Sequence, residues 1–437
     1  EWRLRRAVLE ILAEEFFTKR SSRRTEFGRY LKQRPEAEDY AKFRAACEKA
    51  KTPWRTWAAN PLSSRRGEGQ GEECSSSPGL TFKVEDYGKP TLSRRDYDDK
   101  AKNFHLYIQW IAQQQMDRVL AGCRERNVKF YLDLPLGVNP DGYDAWRYHD
   151  FFAAETSAGA PPDSFFTKGQ DWGFAPLHPR RIRELHYTYV IDYLRFQMRH
   201  TGLLRIDHVM GLHRLWWVPC GYPASAGAYV RYRADELYAI LSVESHLHRT
   251  MLVGENLGTV PPEVNKAMDR HGVRRMYVLQ YEQPMKGPLQ EPERQVVAGV
   301  NTHDMPTFAA HWKGLDISDR HDLGLIPDKE VPVQKRRRAQ LRKNLVAFLR
   351  EKKLITKPNA NLEQVLAGVL KFLAKSPAET ALSNLEDLWL EERSQNVPGT
   401  SSERPNWRRK TSLSLEELAA DPKIAAILKL INAERHR

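Results

Sequence analysis

A repeating unit constrains this chain more than any other feature: an amphipathic helix, a short apolar run, then an acidic side chain where the run stops. Residues 102–126 place Phe104, Tyr107, Ile108, Ile111, Met116, Val119 and Leu120 on one side of a predicted helix. The run 128–132 follows and ends at Asp133. Residues 181–200 read as a helix leading into 203–206 and Asp207, and 234–249 as one leading into 251–254 and Glu255. The runs 276–279 and 296–300 come later, the second ending near Asp304. Helices alternating with short apolar strands predict an α/β fold with a parallel sheet covered by helices. If that sheet closes as a (β/α)8 TIM barrel, the acidic strand ends converge on the mouth where chemistry sits. An open, doubly wound sheet gives the same alternation. It more often carries a glycine-rich phosphate loop after its first strand, and the glycines of 67–71 follow no strand.

Residues 1–100 read instead as a subdomain of helices and loops, with helical spacing over 7–17 and 40–47 and a Ser/Gly/charge-rich loop over 63–79. The barrel is expected over 101–437, from about its third strand, with helical segments at 315–395 and with its first two strands upstream of residue 1. Such a piece would leave an open sheet edge.

Glycoside cleavage needs two carboxylates on opposite sides of the scissile bond, one to protonate the leaving oxygen and one to attack carbon or activate water. Adjacent residues of one strand point to opposite faces, so the pair must come from neighbouring strand ends. Asp207 and Glu255 are placed that way. Arg205 lies two residues before Asp207 on the same face, and an arginine beside a carboxylate favours its ionised form, as a nucleophile requires. Glu255 follows the apolar run Met251-Leu252-Val253, surroundings that help keep a carboxyl protonated, as a general acid requires. One Asp–Arg pair is more often an ordinary ion pair than an active site. Three acidic strand ends in succession tell against that bland reading.

These segments carry a resemblance. Leu204-Arg205-Ile206-Asp207-His208, Val253-Gly254-Glu255-Asn256-Leu257-Gly258 and Asn301-Thr302-His303-Asp304 resemble the motifs of the 4-α-glucanotransferases, the amylomaltases or disproportionating enzymes of glycoside hydrolase family 77 in the α-amylase clan. Asp133-Leu134-Pro135-Leu136-Gly137-Val138, the stretch 159–173 with Gln170-Asp171-Trp172, and the stretch 396–409 with Asn396-Val397-Pro398-Gly399-Thr400 are similar to further motifs of that branch. The resemblance implies a retaining barrel enzyme that moves α-1,4-glucan segments between maltooligosaccharides. It implies Asp207 as nucleophile, Glu255 as general acid/base and Asp304 as the third carboxylate gripping ring hydroxyls. Arg205 and His303 would hold the nucleophile and the donor sugar. Asp133, Gln170 and Trp172 would be further substrate contacts, and Phe165 with Phe166 a loop stacking on glucan. Trp216 and Trp217 are weaker stacking candidates. The chain departs from the common pattern at Asn256, where an acidic residue is usual, and at Met305, where asparagine often follows the aspartate.

Composition narrows the alternatives. No stretch reaches the roughly 18 consecutive apolar residues of a membrane helix, so no membrane partner is expected. Four cysteines far apart, without a CxxC pair, argue against a zinc site or a disulfide framework and for a reducing cytoplasm. The net charge of +13 raises nucleic-acid binding as a rival. The basic residues are scattered, however, and only 335–343 makes a dense basic face, so a solvated surface is the plainer reading. Carboxylates alone run glycosyl transfer, so no cofactor or metal is expected. An α-glucan hydrolase with the same carboxylates and an inactive glucan- or nucleic-acid-binding protein remain alternatives.

Overall fold

The computed structural model describes residues 2–57, 90–163, 166 and 168–435. The predicted loop over 63–79 and Phe165 lie outside them. The chain divides into two compact units, Glu1–Thr250 and Met251–Arg437.

In the first unit, the helices Trp2–Thr18, Arg24–Gln33 and Glu36–Ala50 precede a long helix, Asp99–Glu125. That long helix starts where the Asp98 carboxylate accepts the Ala101 N–H at 2.8 Å, satisfying a donor that the first turn leaves orphaned. Ala13, Phe16 and Phe27 pack against Phe104, Tyr107 and Trp110 in one buried cluster. The strands are β1 (Tyr131–Leu134), β2 (Thr156–Ala160), β3 (Gln170–Asp171), β4 (Leu203–Ile206), β5 (Arg214–Pro219) and β6 (Ala228–Arg231). β1 and β4 run parallel, with Asp133 opposite Arg205. β3, β2, β5 and β6 make a separate antiparallel sheet. Gly159 of β2 faces Gln170 so closely that a Cβ there would lie 2.1 Å from the Gln170 carbonyl oxygen. Only glycine fits that approach.

The expected single helix over 181–200 is broken into Pro179–Glu184 and Thr188–Met198. His186 and Tyr187 both adopt left-handed φ, 54° and 55°. At this break the hydroxyl of the buried Tyr187 donates to Glu236. Apolar periodicity continues through such a kink and cannot reveal it.

In the second unit β7 (Met251–Gly254), β8 (Arg275–Val278), β9 (Val296–Gly299) and β10 (Thr380–Ala381) match the predicted apolar runs closely, except β10, which had no forecast. β8, β9 and β10 are parallel neighbours, and Val253 of β7 bridges Arg274 in parallel. Helices Glu330–Glu351 and Leu362–Lys375 cover this layer, with Leu345, Leu349, Val365, Val369 and Leu373 buried against Val296, Ala298 and Val300. A capping box between Asn361 and Gln364 starts the second of them. On the first, the basic run is partly used internally: Arg338 grips Asp316 through two contacts of 2.7 and 2.8 Å, and Arg342 donates to the Trp312 carbonyl. Cys47 and Cys123 carry free thiols. Cys220 is disulfide-bonded, a pairing the wide cysteine spacing gave no reason to expect. No helix among the described residues is long and apolar enough to cross a membrane.

Candidate active site

The first unit holds Asp133, Gln170, Trp172, Arg205 and Asp207. Because β1 and β4 are in parallel register, Asp133 and Arg205 present their side chains on the same face, and Asp207 returns to that face two residues later. Arg205 Nη1 donates to Asp133 Oδ1 at 2.7 Å, to Asp133 Oδ2 at 2.9 Å and to Asp207 Oδ1 at 2.8 Å. The guanidinium is buried, with 8% of its side chain exposed, while the two carboxylates keep 40% and 36%. A buried cation is thus compensated by two anions that still reach solvent.

The chain turns sharply after Asp207. His208 is a non-glycine residue at φ 46°, a left-handed conformation that costs on the order of 1–3 kcal/mol. Its ring packs edge-on against Trp172, with centroids 5.2 Å apart. Burial pushes the His208 imidazole down to about 4, although Asp207 beside it pulls the other way. At neutral pH it is therefore uncharged and does not compete with Arg205 as a cation. Trp172 takes its place through the two β strands of the hairpin: its N–H donates to the Ala158 carbonyl at 2.9 Å, and its indole N–H to Gln170 Oε1 at 3.4 Å. The paired tryptophans of β5 belong to the antiparallel sheet. Trp216 donates its indole N–H to the Ala224 carbonyl at 2.9 Å and packs on Tyr229.

The second unit holds Glu255, His303 and Asp304. Glu255 follows β7 directly, and its Oε1 accepts the Leu257 N–H at 2.7 Å. Asn256, the departure from the family pattern, ties this turn to its neighbours. Its Oδ1 accepts the Met276 N–H, and its Nδ2 donates to Asn265 Oδ1, both at 3.0 Å. Asp304 sits on the loop after β9. His303 Nε2 lies 3.2 Å from Asp304 Oδ2, and Asn396 Nδ2 donates to Asp304 Oδ1 at 2.6 Å. The His303 ring packs on Trp407, with centroids 5.4 Å apart. Asn406 holds the 396–400 turn in shape by accepting the Val397 N–H at 3.0 Å and donating to Thr400 Oγ1 at 2.9 Å.

Asn396, Asn406 and Trp407 are functional candidates that sequence reasoning used only as marks of resemblance. Asn396 and Asp304 are 92 residues apart, and no periodicity links them. Among the described residues no group of three or more His, Cys, Asp or Glu side chains is placed to hold a metal ion.

Comparison with known proteins bears on the family and the fold. A 4-alpha-glucanotransferase from Mycobacterium tuberculosis is 32% identical over 360 residues, 77% of this chain and 49% of its own length. One from Haemophilus influenzae is 31% identical over 345 residues, 76% of this chain and 49% of its own length. The chain therefore spans about half the length of these curated relatives. The crystal structure of amylomaltase from Corynebacterium glutamicum superposes with a TM-score of 0.80 at 26% identity, covering 97% of this chain and 58% of that one. The pattern of glycoside hydrolase family 77, described as 4-alpha-glucanotransferase, matches residues 1–415, and the chain belongs to that family.

Proposed function

We propose that the protein is a 4-α-glucanotransferase that moves α-1,4-glucan segments between maltooligosaccharides, or onto glucose, by double displacement with retention. Membership of the family supports the activity. The observation that carries the site reading is the buried Arg205 guanidinium shared between Asp133 and Asp207 at the ends of neighbouring parallel strands. It fixes one Asp207 oxygen and leaves the other to act.

Asp207 Oδ attacks the anomeric carbon as the bond from that carbon to the glycosidic oxygen breaks. Glu255 gives its proton to the departing oxygen, and the reducing-end fragment leaves. The 4-hydroxyl oxygen of an acceptor glucan, or of glucose, then attacks the anomeric carbon as the ester bond from that carbon to Asp207 breaks, and the hydroxyl proton passes to the Glu255 carboxylate. Two inversions give net retention. Retaining chemistry of this kind asks for carboxylates about 5–5.5 Å apart. Asp304, oriented by Asn396 and paired with His303, grips ring hydroxyls and favours the flattened, cationic transition state. Trp172 and Gln170, beside His208, offer an aromatic face and an amide to a neighbouring sugar. Within each unit parallel strands alternate with helices, β1 and β4 in the first and β7, β8, β9 and β10 in the second, which supports the (β/α)8 barrel reading.

Maltotriose tests the proposal. Glucose plus a ladder of longer maltooligosaccharides, lost in Asp207→Asn, is the expected result. Glucose and maltose alone would make the enzyme a hydrolase with the same carboxylate roles. No turnover by folded full-length protein would sink the catalytic reading. Affinity for nucleic acid that falls steeply with salt would then revive the binding one.

A further inference from the structure

Asp387 lies on the short helix Leu385–Leu388 and is 1% exposed. None of the site roles above uses it. Its Oδ2 accepts the Asn301 side-chain N–H at 3.1 Å, and its Oδ1 accepts the Phe308 backbone N–H at 2.7 Å. Asn301 lies two residues past β9, at the start of the loop that carries His303 and Asp304. Phe308 is the first residue of the helix that follows. One carboxylate therefore fastens both ends of the segment 301–308.

Other bonds converge on the same clasp. The Asn384 amide donates to Asn301 Oδ1, and Asn301 Nδ2 also reaches the Pro306 carbonyl at 3.3 Å. Gln280 Nε2 donates to that carbonyl at 3.2 Å, and Thr307 donates its hydroxyl to the Glu391 carbonyl. The donors to Asp387 are neutral. Burial raises its carboxyl to about 6, while the Phe308 and Asn301 N–H groups pull it down. A buried carboxylate without a cation in contact is expensive to keep. An apolar side chain would fill the space but leave the Phe308 N–H and the Asn301 amide unsatisfied.

We propose that Asp387 is a positioning residue, whose buried carboxylate clasps both ends of the 301–308 loop and so sets where His303 and Asp304 stand. The proposal rests on the reading of Asp304 as the third carboxylate. Asp387→Asn keeps the size and an oxygen for Phe308 but turns a donor toward the Asn301 donor.

Hydrogen exchange and kinetics together test it. In Asp387→Asn, exchange of the 302–305 amides and of Thr307 is expected to rise at least about tenfold. Helices Glu330–Glu351 and Leu362–Lys375 should keep their protection, and kcat for maltotriose transfer should fall about 10–100-fold. Loop exchange within twofold of wild type overturns the proposal, and so does a rise shared equally by the helices. If the variant does not fold, Asn301→Ala opens the same clasp from its other end and is read by the same outcomes. The exchange arm needs no turnover. A wild-type protein without transfer activity would therefore defeat the proposed function while the clasp is still decided.

Discussion

The two units hold their acidic residues by different means. In the first, Asp207 is held by charge: one buried guanidinium, on Arg205 of β4, serves its register neighbour Asp133 on β1 and Asp207 just past the end of β4. In the second, Asp304 is held by neutral amides and a histidine, reached from Asn396 and, through the loop ends, from Asp387. Charge holds strongly over short distance but must be balanced when buried. Amide networks cost less to bury when every donor and acceptor is used, and they fix direction more tightly than a point charge does. The nucleophile's setting therefore depends on one residue, whereas that of Asp304 is spread over several.

The largest effects test whether the two carboxylates have separate roles at all. Asp207→Asn should lower kcat by on the order of 10⁴, as loss of a central group does. Glu255→Gln should be similarly poor on maltotriose. The two part company on a maltosyl fluoride, whose leaving group needs no proton. There, Glu255→Gln should recover formation of the glucosyl-enzyme, visible as a burst of fluoride, and Asp207→Asn should not. A burst from Asp207→Asn would reverse the assignment.

Arg205→Lys comes next. A lysine supplies one compact charge on a flexible stem and cannot reproduce the shared geometry of a guanidinium. Breaking a buried pair costs about 3–5 kcal/mol, reduced here because both carboxylates are more than a third exposed. Activity should fall about 100-fold, with a Tm loss of several degrees. Adding Asp133→Asn to the lysine variant should recover part of the stability, since a single ammonium then faces a single carboxylate. If the double variant is less stable than Arg205→Lys, the sharing of one cation between two anions is not what the pocket is built on.

That contrast also explains what was legible beforehand. Arg205 and Asp207 are two apart on one strand, and alternation of side chains alone puts them together. Asp207 and Glu255 directly follow β4 and β7, as helix–strand periodicity expected, whereas Asp133 lies inside β1, which runs from Tyr131 to Leu134 rather than over 128–132, and Asp304 stands five residues beyond β9. The clasp at Asp387 and the Asn396 contact were not legible. They join residues 86 and 92 apart, and asparagine and aspartate in loops serve turns and caps far more often than sites. The break at His186 and Tyr187 was hidden for a related reason. It goes with a tertiary contact to Glu236, 49 residues away, which no local window contains.

Asn396→Ala should have an intermediate effect. It removes one hydrogen bond to a charged acceptor, worth about 1.5–3 kcal/mol in general. Because His303 also faces Asp304, the loss should sit at the low end, about tenfold in kcat/KM with Tm almost unchanged. A loss as large as that of Arg205→Lys would mean that the amide side of the molecule is as concentrated on one residue as the charged side.

The smallest effect belongs to Asn256→Asp, and it asks whether the neutrality of the second unit's network matters to the chemistry. An aspartate can still accept the Met276 N–H, and Asn265 can turn its amide to donate where it now accepts. Stability should therefore change by less than about 0.5 kcal/mol, as for substitutions that keep every bond satisfied. The added negative charge stands beside Glu255, and a like charge disfavours ionisation of its neighbour. The acid form of the catalytic group would then persist to higher pH, so the alkaline limb of the kcat/KM profile should move upward by less than about one unit. Activity at neutral pH should change by no more than about threefold. A limb that stays in place would show that the asparagine serves only to tie β7 to β8. A downward shift would mean that the group titrating on that limb is not a carboxyl next to residue 256, and the acid/base role would have to be sought elsewhere.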